Sequence, residues 1–396
     1  MIKELAISNY FSIKHEQKLD LSVAGNAPRR DGYFAAHQDV PKLVLPRVVV
    51  FFGANASGKT TVLRALSFIA HFVRDSFHYS PNAMIPILPF GSAESRSVPT
   101  ALSLSFVTTL PVGVRAGHPV SIRYELVVAP GANEVARETL TYAPLQRTRL
   151  LFERDGNRVR TGEDFDLSAA DPALAKIRPN ASVVSALTQF NHPLATALYQ
   201  AAGQFSSNVG HFGKVELPAD RLQHIYRGDP ALLEAVTRDV QKIDLGIEQI
   251  EFGADNVGAP MVFRHRGLDA LVQFDFQSHG TRKFLGLYPY IHHALSTGSI
   301  CVLDEIDADI HPTLLPEIIG WFRSPERNPK LAQLFAACHN PSLLDHLAKE
   351  EIWFTEKDDV GCTSVYGMKS IKGIRRDENY RARYLQGAFG AIPRLA

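Results

Sequence analysis

The sequence predicts an α/β chain in which a parallel-sheet core carries an antiparallel β lobe and an inserted helical subdomain. Four observations carry this. Residues Leu43–Phe52 are apolar and β-branched at nearly every position and run into a glycine-rich loop. After that loop, Thr60–Phe77 places apolar residues at helical spacing (Val62, Leu63, Leu66, Ile69, Phe72, Val73). A strand with two apolar faces belongs in a buried parallel sheet, and the spacing after it is that of an amphipathic helix. From Ala101 to Arg160 the pattern changes to alternation, in the runs ALSLSFVTT, VSIRYELVV, ETLTY and LLFERDGNRV. Turn signals at Pro130-Gly131 and Asp155-Gly156 separate these runs, so they read as antiparallel strands. Finally, Ala169–Lys242 is rich in Ala and Leu and punctuated by Pro172, Pro179, Pro193, Pro218 and Pro230, which predicts several short helices.

The remaining elements follow the same rules. Ile2–Leu21 alternates in two short runs and predicts strands, followed by a Gly/Pro/Arg-rich loop over Ala24–Gly32. Val262–Phe276 returns to strands after a glycine-rich stretch. The last third alternates: strand at Ser299–Leu303, helix at Pro312–Phe322, strand at Gln333–Ala337, helix at Leu343–Lys349 and strand at Glu351–Phe354. No segment sustains heptads, so no coiled-coil arm is expected.

Composition narrows the function classes. With 42 Lys and Arg against 41 Asp and Glu, the 396-residue chain is nearly neutral, which argues against coating nucleic acid by bulk charge. The three cysteines, Cys301, Cys338 and Cys362, lie singly, giving neither a disulfide framework nor a zinc knuckle; a reducing cytoplasm is the expected home, with the thiols in the core. No apolar stretch approaches the roughly 20 residues of a membrane span, and MIKELAIS lacks the apolar core of a secretory signal.

The chemistry begins at Gly53-Ala54-Asn55-Ala56-Ser57-Gly58-Lys59-Thr60, an ungapped GxxxxGK[ST]. Glycines let the backbone curl so that its N–H groups point at a phosphate, with the next helix N-terminus behind them. Lys59 supplies a point charge to the β and γ oxygens, and the Thr60 hydroxyl suits Mg²⁺. A chance glycine-rich turn would lack the flanking strand and helix, and this loop has both.

Downstream, Ser299–Leu303 is an apolar strand ending in Asp304-Glu305. An acid at a strand tip would hold the water shell of Mg²⁺, which fits Asp304, and Glu305 could polarise the attacking water. Helix capping accounts for Asp309 beside Pro312 but not for the double acid; a separate metal site built from the aspartates is a further option. Gln277-Ser278-His279-Gly280-Thr281 opens an apolar helix through Leu285, Leu287 and Ile291, with a kink expected at Pro289. A second strand, LFAACHN, ends in His339-Asn340.

GANASGKT, SHGT, CVLDEID and CHN, in that order, resemble the ABC-type ATPase head in its soluble form, as in chromosome-maintenance and double-strand-break-repair ATPases. The resemblance implies an ABC-type P-loop ATPase head using ATP and Mg²⁺, divided as follows: an N-terminal part with Walker A (1–100), the β lobe (101–165), the helical insertion (166–257) and a C-terminal part (258–396). It implies nucleotide binding by Gly53 to Thr61, with Thr60 and Asp304 at the metal and Lys59, Glu305 and His339 catalytic. Ser278 and Gly280 would form a signature closing over ATP bound to a second copy, and Ile306–His311 the loop crossing that interface. Within the family, the opening Ile7-Ser8-Asn9-Tyr10-Phe11-Ser12-Ile13, the Pro89-Phe90 pair and the ending Arg376–Tyr380 with Tyr384–Pro393 resemble bacterial phage-defence ATPases of the abortive-infection type. That implies an ATP-driven sensor and scaffold with a separately encoded effector protein. A DNA-repair or recombination ATPase clamping DNA is the alternative; a lone metabolic NTPase or kinase would not need SHGT. No Q-loop glutamine is identifiable, and His279 and Thr281 depart from the transporter signature LSGGQ. The cluster Lys372, Arg375, Arg376, Arg381 and Arg383 is either a nucleic-acid or partner contact or a solvated face. His292-His293 is expected to have no functional role.

Overall fold

The computed structural model describes residues 1–24, 27, 32–36, 40, 43–144, 147–165, 167, 171–253 and 260–393. Most of the loop expected over Ala24–Gly32, and the glycine-rich stretch at 254–259, lie outside that set. Strands β1 (Ile2–Ser8) and β2 (Gln17–Asp20) open the chain, as the early alternation predicts. A short pair, β3 (Phe34–Ala36) and β4 (Val44–Pro46), precedes β5 (Val48–Phe52) and helix α1 (Lys59–Asp75). The single strand expected over Leu43–Phe52 is therefore two. Pro46 has no N–H to give a central ladder, and the Arg47 N–H turns aside to the Tyr33 carbonyl at 3.0 Å. The β4 half pairs with β3, and only β5 enters the core sheet.

Strands β6 (Thr100–Thr109), β7 (Pro119–Val128), β8 (Val135–Ala143), β9 (Arg149–Asp155) and β10 (Arg158–Thr161) form the antiparallel lobe. They join β1 and β2 in one seven-stranded sheet of order β10-β9-β8-β7-β6-β1-β2. Pairing of Leu5 with Leu104 and Ile7 with Leu102 makes the N-terminal strands continuous with the lobe. Buried Glu138 on β8 accepts hydrogen bonds from the Val183 N–H and the Tyr124 hydroxyl, each 2.9 Å, while buried Arg154 donates to the Ala181 carbonyl at 2.6 Å. These bonds tie the lobe to the helices that follow.

The helices are α2 (Pro172–Ala175), α3 (Val183–Thr188), α4 (Pro193–Gly203), α5 (Ala219–Gly228) and α6 (Pro230–Val240). Three of them open on proline, whose fixed φ and missing N–H suit a first turn. Ser182, His192 and Asp229 cap α3, α4 and α6. Between α4 and α5 lies β11 (Ser206–Ser207), which alternation does not reveal. Next come β12 (Ile247–Phe252), β13 (Met261–His265) and β14 (Val272–Gln273), a separate three-stranded sheet.

Helix α7 (His279–Thr297) runs through Pro289 into β15 (Ile300–Leu303). The chain closes with α8 (Leu315–Arg323), β16 (Gln333–Ala337), β17 (Ile352–Lys357), β18 (Thr363–Gly367) and α9 (Tyr380–Leu385). The helix expected at Leu343–Lys349 is instead a 3₁₀ turn over Pro341–His346, because Asn340 caps its start and Leu347 is already extended.

The core sheet has the order β11-β15-β16-β5-β17-β18, parallel except for β18. All five residues of β5 are buried. Val49 and Phe51 face a core shared with α1 and the lobe, whereas Val48, Val50 and Phe52 face a core shared with α7, α8 and α9. This order sets the carboxyl ends of β5, β15 and β16 side by side, which is where open parallel sheets bind ligands.

Candidate active site

Residues 53–60 turn from β5 into α1 at that edge. Gly58 has φ 110°, and a Cβ there would lie 2.4 Å from the Thr363 hydroxyl oxygen, so the position requires glycine. The Lys59 ammonium donates to the Gly53 and Ala54 carbonyls, each at 2.9 Å, across the curl of the loop. Burial pushes its pKa down, with the Asp304 carboxylate opposing. The Thr60 hydroxyl donates to Asp304 Oδ2 at 2.8 Å, joining the loop to the tip of β15.

A set of hydroxyls, of which the sequence does not single out Thr355 and Thr363, fastens this loop from below. Ser57 Oγ lies 2.6 Å from Thr355 Oγ1 at the end of β17, and the Thr363 hydroxyl donates to the Ser57 carbonyl at 2.9 Å. Ser12 Oγ lies 3.0 Å from Thr61 Oγ1 and 2.9 Å from Thr363 Oγ1. Ser and Thr at strand ends are common, and nothing in their spacing signals that they meet.

At the β15 tip, buried Asn208 holds the backbone of Asp304. It follows the edge strand β11, and its carboxamide bonds Asp304 on both sides: Oδ1 accepts from the Asp304 N–H (2.7 Å) and Nδ2 donates to the Asp304 carbonyl (3.1 Å). Glu305 follows at φ 50°, turning its side chain off the strand into the cleft. There it meets Lys214 at 2.8 Å, and that bond holds the Glu305 carboxyl below its ordinary range despite partial burial. His339, off the tip of β16, lines the same cleft; its backbone N–H donates to Asp307 Oδ2 at 3.0 Å. Burial, then the charge of Lys59, pushes its imidazole pKa down.

The cleft is open, about 880 Å³, and its far wall is Phe11, Ser12 and Leu88–Ser92. Asn9, itself at φ 49°, organises that wall: its side chain accepts from the Phe90 N–H (3.0 Å) and donates to the Ser95 and Val98 carbonyls, both at 2.8 Å. The opening ISNYFSI and the Pro89-Phe90 pair, read separately in the sequence, are thus one wall. The Arg64 guanidinium backs the Phe11 ring at 4.2 Å.

Ser278 and Gly280 stand elsewhere. Ser278 caps α7, accepting from the Thr281 N–H at 3.1 Å, and a Cβ on Gly280 would lie 2.7 Å from the Asp309 carbonyl oxygen. With Thr281, Leu245, Asp309 and His311 they line a second cleft, which shares no lining residue with the first. Asp309 does not cap the helix at Pro312, as the sequence suggested; it sits at φ 59° with its carbonyl against Gly280, and His311 supplies the cap. Three of the five C-terminal cations are paired with acids: Arg376 with Glu350 at 2.5 Å, Arg381 with Asp345 at 3.6 Å, and Arg383 with Glu378. His292 stacks on Tyr288, and all three cysteines are buried.

A phosphate loop at the end of β5 and paired acids at the end of β15, with β16 between them in one parallel sheet and an antiparallel lobe alongside, define a P-loop nucleotide-binding fold. The chain belongs to the family described as "AAA domain, putative AbiEii toxin, Type IV TA system", which matches residues 48–345. Among solved structures it is similar to the SMC head domain from Thermotoga maritima (14% identity, 92% of this chain and 98% of that one, TM-score 0.42). It is also similar to an SmcHead bound to the C-winged helix domain of ScpA (14%, 92% and 97%, TM-score 0.47). A third is an Smc head with an extended coiled coil bound to the C-terminal domain of ScpA derived from Pyrococcus furiosus (12%, 92% and 95%, TM-score 0.46). No curated protein matches the sequence significantly. Among the described residues no helix is long and apolar enough to cross a membrane.

Proposed function

We propose that this chain binds ATP with Mg²⁺ and hydrolyses it in a site completed by a second copy of itself. The observation that carries the reading is the 2.8 Å bond between Thr60 and Asp304, which brings a hydroxyl and a carboxylate from distant parts of the chain to one point beside Lys59. Such an oxygen pair suits a hard cation, and the glycine loop at the start of α1 suits the phosphates. Thr60 and Asp304 would hold Mg²⁺ there, which would supply neutralisation of the phosphate charge. Lys59 exchanges its two loop carbonyls for phosphate oxygens, Glu305 accepts the proton of the attacking water, and His339 donates to the γ-phosphate from the neighbouring strand tip. Because Ser278 and Gly280 line a different cleft from the phosphate loop of their own chain, they are available to a second copy.

In the cell we infer a cytoplasmic sensor and scaffold of antiphage defence that works with a separately encoded effector. The family description, with its toxin and Type IV TA system, supports a partnered system. A DNA clamp calls for a free basic face, and the C-terminal arginines Arg376, Arg381 and Arg383 are already paired with acids. The test is ATP turnover with and without duplex DNA, using Glu305→Gln as the blank. We expect turnover indifferent to DNA, and a loss of ~10²–10³ in Glu305→Gln, with an ATP-bound assembly accumulating on size exclusion. Normal turnover by Glu305→Gln would sink the mechanism, and strong stimulation by DNA that falls with salt would replace the scaffold by the clamp.

A further inference from the structure

Glu305, read above as the base, is engaged. Its carboxylate is 2.8 Å from the Lys214 ammonium, and the same ammonium lies 3.3 Å from Glu216. Glu216 in turn lies 3.1 Å from Lys283. The four side chains form a line of alternating charge, and its far end is on α7, the helix that Ser278 caps. Lys214 is only 20% exposed, against 45% for Glu305 and 72% for Glu216.

The backbone at both ends of the first link is fixed. Lys214 ends a small hairpin in which Val215 N–H donates to the Asn208 carbonyl and Gly210 N–H to the Gly213 carbonyl, both at 2.7 Å. Asn208 is bolted to Asp304, and the His211 ring meets His71 of α1 edge-on at 4.2 Å. Glu305 is held through the Asp304 carboxylate, which accepts from its N–H at 3.1 Å, and through the Ile306 N–H on the Ala337 carbonyl, also 3.1 Å. Only the lysine stem and the glutamate side chain are left to move. An ammonium on the carboxylate occupies the oxygens that must receive the proton of water, and a charge-assisted bond of this kind has to be exchanged before they are free. Glu216 offers the ammonium a second place to go, and Lys283 competes with it for that place.

We propose that Lys214 is a positioning residue that holds Glu305 out of action in the resting chain, and that withdrawal of Lys283 from Glu216, when α7 engages a second copy, lets Lys214 move to Glu216 and releases the base. The inference rests on Glu305 being the base. It goes beyond that reading by giving the helix of Ser278 a route to the acid of its own chain.

The test uses the full chain at saturating ATP and Mg²⁺. Lys214→Met and Lys283→Met are expected to raise basal kcat about five-fold, about 1 kcal/mol at 1.36 kcal/mol per tenfold. KM for ATP should stay within about two-fold, because neither residue touches the phosphate loop. Glu216→Gln removes the landing point and is expected to lower kcat, and Lys214→Arg to restore the resting rate. General damage to the fold would lower all of these together, so the opposed signs separate the two causes. If Glu305→Gln is inactive and Lys214→Met is no faster than wild type, the latch fails while the base stands. If Glu305→Gln turns over normally, the base reading fails and takes the latch with it. The double variant Glu305→Gln, Lys214→Met should be no faster than Glu305→Gln alone. As a readout independent of turnover, the side-chain NMR signal of Lys214, assigned by its loss in Lys214→Arg, should shift when a non-hydrolysable ATP analogue and Mg²⁺ are added; an unchanged signal overturns the latch.

Discussion

Replacing Asn208 by Ala is the perturbation whose size follows most directly from the structure. Asn208 is 2% exposed and Asp304 3%, so both ends of their pair of hydrogen bonds are buried. The carboxamide is the partner of both the N–H (2.7 Å) and the carbonyl (3.1 Å) of Asp304. Alanine leaves two buried backbone groups unpaired at ~1–3 kcal/mol each, hence ~2–6 kcal/mol in all. That is a large share of the ~5–15 kcal/mol that holds a typical domain together. Asn208→Asp separates hydrogen bonding from packing: its carboxylate still accepts from the Asp304 N–H but has nothing to give the carbonyl, and it adds charge beside Asp304. We expect it to recover little. Urea unfolding followed by fluorescence and circular dichroism measures the loss, read from the midpoint at constant m-value. An Asn208→Ala protein within ~0.5 kcal/mol of wild type would refute the argument that this side chain anchors the β15 tip. Full recovery by Asn208→Asp would refute the need for the donated bond.

Two further outcomes are expected. Ser278→Arg should abolish turnover yet leave ATP binding by the monomer intact, since Ser278 lines a cleft apart from the phosphate loop; loss of nucleotide binding, measured by calorimetry, would reduce SHGT to a helix cap. Glu138 is the pH prediction. Burial, opposed by Arg154, raises its carboxyl from 4.5 to about 7. Between those values the folded chain keeps a proton that the unfolded chain has released, so this contribution is complete below 4.5 and is lost as pH rises through 7. Relative to wild type, Glu138→Gln should therefore gain about 3 kcal/mol in unfolding free energy from pH 4.5 to above 7, and parallel stability curves would refute the assignment.

What the sequence discloses is what lies close together in it. The phosphate loop, the Asp304-Glu305 pair and His339 are each local patterns at strand ends, and the sheet order sets them beside one another. The lobe was legible because its two longest strands, β6 and β7, run for 10 residues each, long enough for alternation to show. Asn208 and Lys214 were not, because β11 is two residues long and offers no window in which a period can show. The Leu43–Phe52 run hid its division, since apolar character does not say which strand a residue will pair with. In the C-terminal cluster, five cations stood against two acids within the local window; the balancing Asp345 and Glu350 come from the preceding turn and strand connection. Four hydroxyls beneath the phosphate loop, from Ser12, Ser57, Thr355 and Thr363, meet only through the fold.

The strand order of the core sheet also sets a timetable for biosynthesis. Strand β5, buried at every residue, emerges from the ribosome early, yet its two neighbours are β16 and β17, which begin at Gln333 and Ile352. At ~5–20 residues per second, Val48–Phe52 waits roughly 15–60 s for a partner. For most of that interval the nascent chain displays an unpaired apolar strand and the complete GxxxxGKT motif without Asp304 and Glu305, which follow only after β15. Termination anywhere before the end of β15 would therefore leave the phosphate loop without Asp304, the acid that Thr60 bonds in the finished chain.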